Sequence, residues 1–329
     1  MDSSAAKKEA KSKKTAPARL LELSRHADPS VQLAVAKNPN TPVAALEYLS
    51  GHGKLTILKA VAGNPSTPPA ILERLALHKQ HTVCEVVASN LRTPLATLER
   101  LAVHPKGTIR KALTSNRALT LAILETLSRD ADESVRYGVA GNHQCSPVLL
   151  EQLALDESTD VRSVVAVSYN TPLEVVRKLA HDPEALVRGR TVYRLVKDRQ
   201  EDLLERLLFD ESHDVRVELT VHAESMSAQL ASDPDDDIRE RIARRNDLDT
   251  ATLKQLLKDP RARVRRTLAH NKTTPTPIFM LEALCADPDR HVRWQVANNN
   301  AVTPAILERL AEDQNENVRT LARSKLEEL

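Results

Sequence analysis

The chain has 329 residues, 41% of them hydrophobic and 28% charged, with 47 Lys and Arg against 45 Asp and Glu, for a formal net charge of +2. This length suits two or three ordinary domains or one extended repeat array. Because positive and negative charges are nearly equal in number, the net charge does not indicate a class of partner. Residues 1–19 alone carry net +4, which leaves residues 20–329 at net −2. A body of that charge is not a generic nucleic-acid binder.

Residues 1–19, MDSSAAKKEAKSKKTAPAR, contain no apolar run, so we expect neither a signal peptide nor a membrane anchor there. Their composition predicts a disordered basic tail. The three cysteines, Cys84, Cys145 and Cys285, are too widely spaced for a CxxC metal motif or a disulfide framework. We therefore expect a cytoplasmic protein that has no cofactor, metal or membrane contact.

A regular internal repeat follows the tail. A β-branched anchor residue recurs twelve times; the first six intervals between anchors are all 26 residues, and the next five are 28, 23, 26, 28 and 26. A repeat of about 26 residues with such regularity predicts about twelve structural units over residues 20–329. The anchors are Val31, Ile57, Val83, Ile109, Val135, Val161, Val187, Val215, Ile238, Val264, Val292 and Val318.

Each repeat carries start signals for two short helices. Thr-Pro pairs such as Thr41-Pro42 predict an N-cap hydroxyl followed by a proline in the first helical position. Asp-Pro pairs such as Asp182-Pro183 predict the same arrangement for the second helix of the repeat.

The second helix has apolar residues at i and i+4, for example Val31 and Val35, and it ends at a recurring asparagine such as Asn38 or Asn271. Asparagine tolerates the left-handed conformation that closes many helices. Because neither helix reaches the length at which an isolated helix is even marginally stable, the repeats must stack on one another. The sequence predicts an α-solenoid.

With NPNTPVAALEYLS, NPSTPPAILERLA and DPDRHVRWQVANN, the chain resembles the bacterial leucine-rich repeat variant family, which is comparable to HEAT and armadillo arrays. The resemblance covers about residues 20–329. It implies an all-α fold, a right-handed superhelix of paired helices, one of which is often closer to 3₁₀ than to α. Some members bind an iron–sulfur cluster through N-terminal cysteines, but no cysteine precedes Cys84, so that cofactor is not carried over.

Five residues before the anchor, the first four repeats have His and the later ones have Asp. One residue after the anchor, Arg is present from Arg110 onward, so that Asp and Arg begin together except in the His104/Arg110 repeat. This co-occurrence predicts a ladder of charge-assisted hydrogen bonds within or between repeats. The alternative is a row of arginines that binds phosphate.

The repeats at about residues 188–245 are irregular, since Arg194, His222 and Arg245 replace the asparagine. Residues 200–238 have twelve acidic side chains against two arginines, whereas residues 239–272 have eleven Lys and Arg against four acidic ones. Either these neighbouring segments neutralise each other, or they form a charged docking surface.

Positions two and six after each anchor lie on one face of the second helix, away from the buried stripe, and their residue types vary from repeat to repeat. We call this the second-helix face, and we predict that it is concave and binds a protein partner. Binding hot spots favour aromatic residues, which are scarce in this chain, and arginines. Packing against the next repeat could also explain the aromatic residues on this face. The candidate partner-binding residues are Lys59, Lys111, Tyr137, Tyr193, Arg244, Arg266, His270 and Trp294.

The sequence has no Gly-rich phosphate loop, GxSxG, HExxH or CxxC motif, so we predict a non-enzymatic binding scaffold. His78 and His81 have a spacing that permits metal binding, but solvated histidines are the preferred interpretation. Nucleic-acid binding through the basic tail and residues 239–272 is the alternative. A more remote one is a HEAT-like DNA glycosylase, which would need Trp294 with Asp287 or Asp289 beside a flipped base.

Overall fold

The computed structural model describes residues 2–270 and 277–328, in which all regular structure is helical, with twenty-five α-helices and one 3₁₀ helix. The chain divides into two compact units, residues 1–175 and residues 176–329. Consecutive helices form twelve pairs with the predicted spacing, which confirms an all-α array of helical repeats. In the two described ranges no helix is long and apolar enough to serve as a membrane span.

The first unit contains thirteen complete helices, and α14 (Leu173–Leu179) contains the boundary. They are α1 (Ser3–Lys11), α2 (Pro17–Leu23), α3 (Pro29–Lys37), α4 (Val43–His52), α5 (Leu55–Gly63), α6 (Pro69–Leu75), α7 (His81–Ser89), α8 (Leu95–Ala102), α9 (Gly107–Leu113), α10 (Leu121–Leu127), α11 (Glu133–Ala140), α12 (Pro147–Leu153) and α13 (Thr159–Val167).

The second unit contains eleven complete α-helices and the 3₁₀ helix Glu224–Met226. The α-helices are α15 (Ala185–Lys197), α16 (Glu201–Leu207), α17 (His213–His222), α18 (Ser227–Leu230), α19 (Asp236–Ala243), α20 (Thr250–Leu256), α21 (Ala262–His270), α22 (Ile278–Leu284), α23 (Arg290–Asn298), α24 (Pro304–Leu310) and α25 (Glu316–Glu327).

The anchors form the core of both units, since each of the twelve is at most 1% exposed. Residues four positions later, such as Val35 and Leu219, are buried beside them. Within each unit the second helix of a repeat packs directly on the second helix of the next, as α5 does on α7 and α21 does on α23. The periodic burial therefore confirms the predicted register.

For Thr41, Thr67 and Thr93 the threonine is not the N-cap of the first helix that the sequence had predicted, whereas Thr303 does cap α24, by accepting from the Ile306 amide. Pro42 occupies the N-cap position of α4, and the buried Thr41 hydroxyl donates to the carbonyl of Val35, at 2.6 Å. Thr67 donates in the same way to Val61 at 2.5 Å. The threonine thus gives a second hydrogen bond to a carbonyl at the end of the preceding second helix, which also accepts from the amide of the C-cap asparagine.

The recurring asparagine also has a different role from the predicted one. The C-cap Asn38 has φ −75° and ψ 124°, and Arg199, outside this series, is the one described residue with a positive φ. The importance of the asparagine lies in its side chain. Asn64 Nδ2 donates to Ala36 O at 2.7 Å and to Asn38 O at 2.8 Å in the preceding repeat, and its Oδ1 accepts from the Ser66 amide at 2.8 Å.

We call this series of buried amides the asparagine ladder. It continues through the first unit, where each asparagine donates to carbonyls 28 and 26 residues earlier. Its members are Asn38, Asn64, Asn90, Asn116 and Asn142. In the second unit Asn299 makes the corresponding bond to Ala269 O, at 2.8 Å, and Asn271 lies outside the described residues.

The prediction of a disordered tail over residues 1–19 is wrong for most of that segment. Asp2 caps α1 by accepting from the Ser4 amide, and Ala6 and Ala10 are buried where α1 packs on α3. The physical reason is the asparagine ladder, because Asn38 Nδ2 donates to Ala10 O at 2.8 Å and to Ser12 O at 2.9 Å. Helix α1 therefore acts as an additional second helix in front of the first repeat.

The repeats at about residues 188–245 differ in structure from the regular ones. Helix α15 extends to thirteen residues and is followed by Arg199 at φ 53°. The 3₁₀ helix Glu224–Met226 and the four-residue α18 replace the first helix of the ninth repeat. The other first helices are α-helical, so the expectation of a 3₁₀ helix in many repeats is not met in the described residues.

Candidate protein-binding face

The recurring Arg and Asp positions form a second ladder, which we call the arginine–aspartate ladder. Arg239 Nη1 donates to Asp233 O in its own repeat at 2.8 Å, while Nε and Nη2 donate to the Asp259 carboxylate of the next repeat at 2.6 and 3.2 Å. Seven such pairs join consecutive repeats within the two units. They are Arg110–Asp130, Arg136–Asp156, Arg188–Asp210, Arg216–Asp233, Arg239–Asp259, Arg265–Asp287 and Arg293–Asp313.

The exception in the sequence pattern reveals the direction of the ladder. Arg110 stands in a repeat that has His104 in place of Asp, and it pairs with Asp130 of the following repeat, through Nε at 2.5 Å and Nη2 at 2.8 Å. Because each arginine reaches forward by one repeat, the first arginine must precede the first aspartate by one repeat. The predicted ladder is confirmed, and it runs between repeats.

The alternative of a phosphate-binding arginine row is wrong for these seven residues. Their guanidinium groups are directed into the repeat stack and hydrogen-bonded on several nitrogens, with side-chain exposures between 6% and 17%. Hydrogen bonds from Arg293 hold the pKa of Asp313 below its usual range, against the opposing effect of burial. Both partners are therefore charged and mutually satisfied near neutral pH.

The ladder aspartates do not cap the second helix as predicted, although Asp28-Pro29 caps α3 in the first repeat. Asp287 Oδ1 accepts from the Asp289 amide at 2.8 Å, which forms a tight turn, and Asp289 is the residue that caps α23 by accepting from the His291 amide, also at 2.8 Å. The repeated Asp-Pro motif thus provides a turn and a carboxylate for the preceding arginine.

Histidines take over the turn in the early repeats. The Nδ1 atoms of His26, His78 and His104 accept from the amides two residues later at 3.0 to 3.1 Å. Burial, followed by the charges of His81, Arg110 and Lys106, lowers the pKa of His104, so that its ring stays neutral and can accept this bond. The histidines of HKQH have structural contacts, since the His81 ring also packs edge-to-face on His104 with centroids 5.7 Å apart.

The opposite charges of residues 200–238 and 239–272 meet in the structure. Between the two segments, Arg241 Nε lies 2.9 Å from Asp237 and Arg263 Nε lies 3.8 Å from Asp236. Within residues 239–272, Glu240 lies 2.8 Å from Arg263 Nε and 2.5 Å from Arg244 Nη2. Arg261 also faces Asp236 at 3.8 Å. These contacts support mutual neutralisation of the described part of the basic cluster; residues 271 and 272 lie outside the described ranges.

In the first unit the candidate residues Lys59, Lys111 and Tyr137 are all exposed, on α5, α9 and α11 respectively. These helices belong to one row in which α5 packs on α7, α7 on α9 and α9 on α11. Tyr137 keeps 46% of its surface exposed. Packing against the next repeat therefore covers only part of this aromatic ring.

In the second unit Tyr193, Arg244, Arg266, His270 and Trp294 are exposed. The structure brings three of them together on adjacent helices, with Arg266 and His270 on α21 and Trp294 on α23. His270 Nδ1 lies 2.8 Å from Nε2 of Gln295, the residue after Trp294. By contrast Arg244 is paired with Glu240, which makes it a weaker binding candidate.

Tyr193 has a neighbour that the sequence did not indicate. Its ring packs edge-to-face on His222 of α17, with centroids 5.5 Å apart, and 60% of the tyrosine surface stays exposed. His222 stands where a regular repeat has its ladder asparagine. The loss of the asparagine was therefore the available signal for this aromatic pair.

A second missed feature is an open groove beside Ser168, which also replaces a ladder asparagine. Ser168 Oγ donates to Ala140 O at 2.7 Å, as the asparagine amide does elsewhere, but its side chain is shorter. The exposed Val167 and Tyr169 line this groove with Val164. An apolar recess thus adjoins the second-helix face in the first unit.

The polar groups inside the repeats are satisfied. Among the described residues, no buried side-chain nitrogen or oxygen is without a hydrogen-bond partner, and no cluster of three or more His, Cys, Asp or Glu has a geometry that could hold a metal ion. The two carboxylates considered for a glycosylase both have partners, since Asp287 binds Arg265 and Asp289 caps α23.

The fold and the face define an all-α repeat protein whose distinctive side chains lie outside its hydrogen-bonded ladders. No protein-family model matches the chain, and no curated protein matches it. Among solved structures, it is similar to a leucine-rich repeat variant described as having a novel repetitive structural motif, with 24% identity, a TM-score of 0.43, and alignment over 76% of this chain and 88% of that one. It is also similar to the E. coli protein YibA, with 14% identity, a TM-score of 0.33, and alignment over 100% of this chain and 98% of that one.

Proposed function

We propose that this protein is a non-enzymatic scaffold that binds another protein through the second-helix face. The observation that carries the proposal is that its buried polar residues and its exposed aromatic residues have different roles. The asparagine and arginine–aspartate ladders hold repeats together, whereas Tyr137, Tyr193 and Trp294 stay exposed at positions two or six after their anchors.

Exposed aromatic side chains are costly to keep in water and are enriched among the residues that dominate binding energy. In the second unit Trp294 lies on the helix that packs against the helix of Arg266 and His270, so that an aromatic surface, a cation and an imidazole ring are exposed on adjacent helices. Such a combination suits a protein surface that carries apolar and acidic groups.

Co-purification from the native host tests the proposal. The wild-type chain should retain a protein partner, and Tyr193→Ala with Trp294→Ala should lose it while keeping the helical circular dichroism spectrum. Leu155→Ala with Phe209→Ala is the matched control, since both apolar side chains are more than 80% exposed but lie outside the predicted face positions and outside the groove beside Ser168.

Recovery of nucleic acid without protein would refute the proposal and favour the nucleic-acid alternative. Equal loss of the partner from both double variants would also refute it, because binding would then follow from exposed apolar surface at any location.

A further inference from the structure

Helix α1 extends the second-helix face in the N-terminal direction. Leu33 and Lys37 are positions two and six of the first repeat, and one repeat length before them stand Lys7 and Lys11. Since α1 packs on α3, and α3 on α5, these lysines continue the same helix row that carries Lys59. The row therefore begins with a group of basic side chains.

The basic side chains surround a cavity, which we call the lysine groove. It has a volume of about 390 Å³ and lies between α1, the turn after it, and α3. Leu33, Ala34 and Pro39 provide its apolar surface. The remaining lining residues are Lys7, Lys11, Lys13, Ser30, Lys37 and Asn38.

The positive charge of the groove is not neutralised. Within the described residues, none of the four lining lysines forms a salt bridge. The nearby Glu9 accepts from Arg19 at 3.0 and 3.2 Å, and Asp28 accepts from the Ser30 amide at 2.8 Å. This contrasts with the arginines of residues 239–270, many of which face carboxylates.

We propose that the lysine groove binds an acidic peptide segment that also carries aliphatic side chains. The proposal rests on the proposed function and specifies the chemistry of the partner at one end of the face. Four like charges around a confined space favour a ligand with several carboxylates. The apolar surface of Leu33 and Pro39 would be covered by aliphatic groups.

A nucleic-acid strand fits the same groove less well. The lining includes no aromatic ring on which a base could stack, and no arginine that could bind phosphate through two parallel hydrogen bonds. The groove therefore offers point charges and aliphatic surface, which are the features that an acidic amphipathic peptide uses.

Fluorescence anisotropy of the full chain with a labelled peptide of alternating Glu and Leu tests this proposal. We expect binding that weakens as salt is added. Lys7→Glu with Lys37→Glu should weaken it by about tenfold or more, since each reversal replaces attraction by repulsion. Lys79→Glu with Lys106→Glu changes the net charge equally at exposed lysines outside the groove, and it should leave the affinity within about twofold.

Leu33→Gln separates the apolar contribution from the charge. It should weaken binding of the Glu–Leu peptide but leave binding of an all-Glu peptide unchanged. Melting curves of each variant show whether the fold is intact, and none of these lysines contributes an ion pair to it.

The proposal is overturned if the Glu–Leu peptide does not bind at low salt, or if the control reversal weakens binding as much as the groove reversal. It is also overturned if a short DNA duplex binds the wild type as tightly as the peptide does. These outcomes do not depend on Tyr193 or Trp294, so the groove can fail while the scaffold function stands, and the reverse.

Discussion

Residues 38–142 of the first unit and residues 188–313 of the second unit hold similar helix pairs together with different side chains. In the first region, five asparagine amides reach back to carbonyls of the preceding repeat, and one arginine–aspartate pair, Arg110–Asp130, lies towards its C-terminal end. In the second region, five arginines reach forward to an aspartate of the next repeat. Both devices satisfy buried polar groups across a repeat boundary, so the fold depends on the bonds rather than on one residue type.

The difference follows the regularity of the repeat. Throughout the first region the asparagines contact carbonyls at constant separations of 28 and 26 residues. The arginine–aspartate pairs of the second region tolerate separations of 17, 20 and 22 residues. Arginine is long and carries several donors. It can therefore bridge repeats whose length varies. Asn299 also keeps its contact with Ala269 O across a longer repeat, at a separation of 30 residues.

Arg245 shows the substitution directly. It occupies an asparagine position at the end of the shortest repeat interval, and its Nη1 donates to Thr220 O at 3.2 Å. Thr220 lies two positions before His222, just as Ala36 lies two positions before Asn38 in the regular contact of Asn64. The longer side chain thus reaches the equivalent carbonyl across a repeat of different length.

The largest expected effect is the loss of one arginine from the second region. Arg239→Ala leaves the Asp259 carboxylate, 3% exposed, without its counter-charge. We expect the free energy of unfolding to fall by about 3 kcal/mol or more in guanidinium denaturation. Arg241→Ala removes an exposed i, i+4 pair on the same helix and should change it by less than about 0.5 kcal/mol. Equal losses would contradict the assigned role of the ladder.

A smaller effect is expected when an asparagine is removed from the first region. Asn116→Ala eliminates two buried donor bonds, at 2.8 and 3.0 Å, and one acceptor bond from the Ala118 amide. The cost should be about 2 kcal/mol in the same measurement. Asn298→Ala, at an exposed position beside ladder member Asn299, is the control and should be nearly neutral.

The two regions should also differ in their response to acid. The folded pKa of Asp313 is lowered by Arg293, and that of Asp210 is lowered by Arg188 despite the opposing effect of burial. Their stabilisation is present above the ordinary pKa of 3.8 and is lost as pH falls through the lower folded values.

Asparagine amides do not titrate in this pH range. In the first region His104, whose pKa is lowered from 6.5, is expected to gain its proton at a higher pH than the aspartates do. Hydrogen-exchange protection, corrected for intrinsic rates, should therefore decrease more below about pH 4 in peptides from residues 188–313 than in those from residues 38–90. A larger decrease in the asparagine region would contradict the comparison.

Much of the fold could be predicted from the sequence because the buried positions follow the period of the repeat. The anchors gave the helix register, and the joint appearance of Asp and Arg indicated a ladder. The role of Asn64 could not be predicted, since an asparagine directly after a helix is expected both for a left-handed closing residue and for a side-chain hydrogen-bond donor. The folding of α1 was missed because its lysine-rich composition resembles disorder, and because its partner Asn38 lies 28 residues away from Ala10.

The face could be predicted only as a set of positions. The helical period placed Tyr137 and Trp294 on it, and the structure confirms that both are exposed. Which charged side chains on or near the face are neutralised depends partly on contacts between repeats, such as that of Arg263 with Glu240. It also depends on pairs within one helix, such as Arg244 with Glu240. The four lysines of the groove became recognisable as a group only when α1 was placed on α3.

A double-mutant cycle in the region that lacks the charged pair tests the central claim most directly, namely that each arginine binds forward to the next repeat. Cys84 and His104 occupy the arginine and next-repeat aspartate positions. Cys84→Arg and His104→Asp together should show a favourable coupling of about 2 kcal/mol in their unfolding free energies. Cys84→Arg with His78→Asp, within one repeat, should show almost none. Coupling to position 78 and not to position 104 would contradict the account.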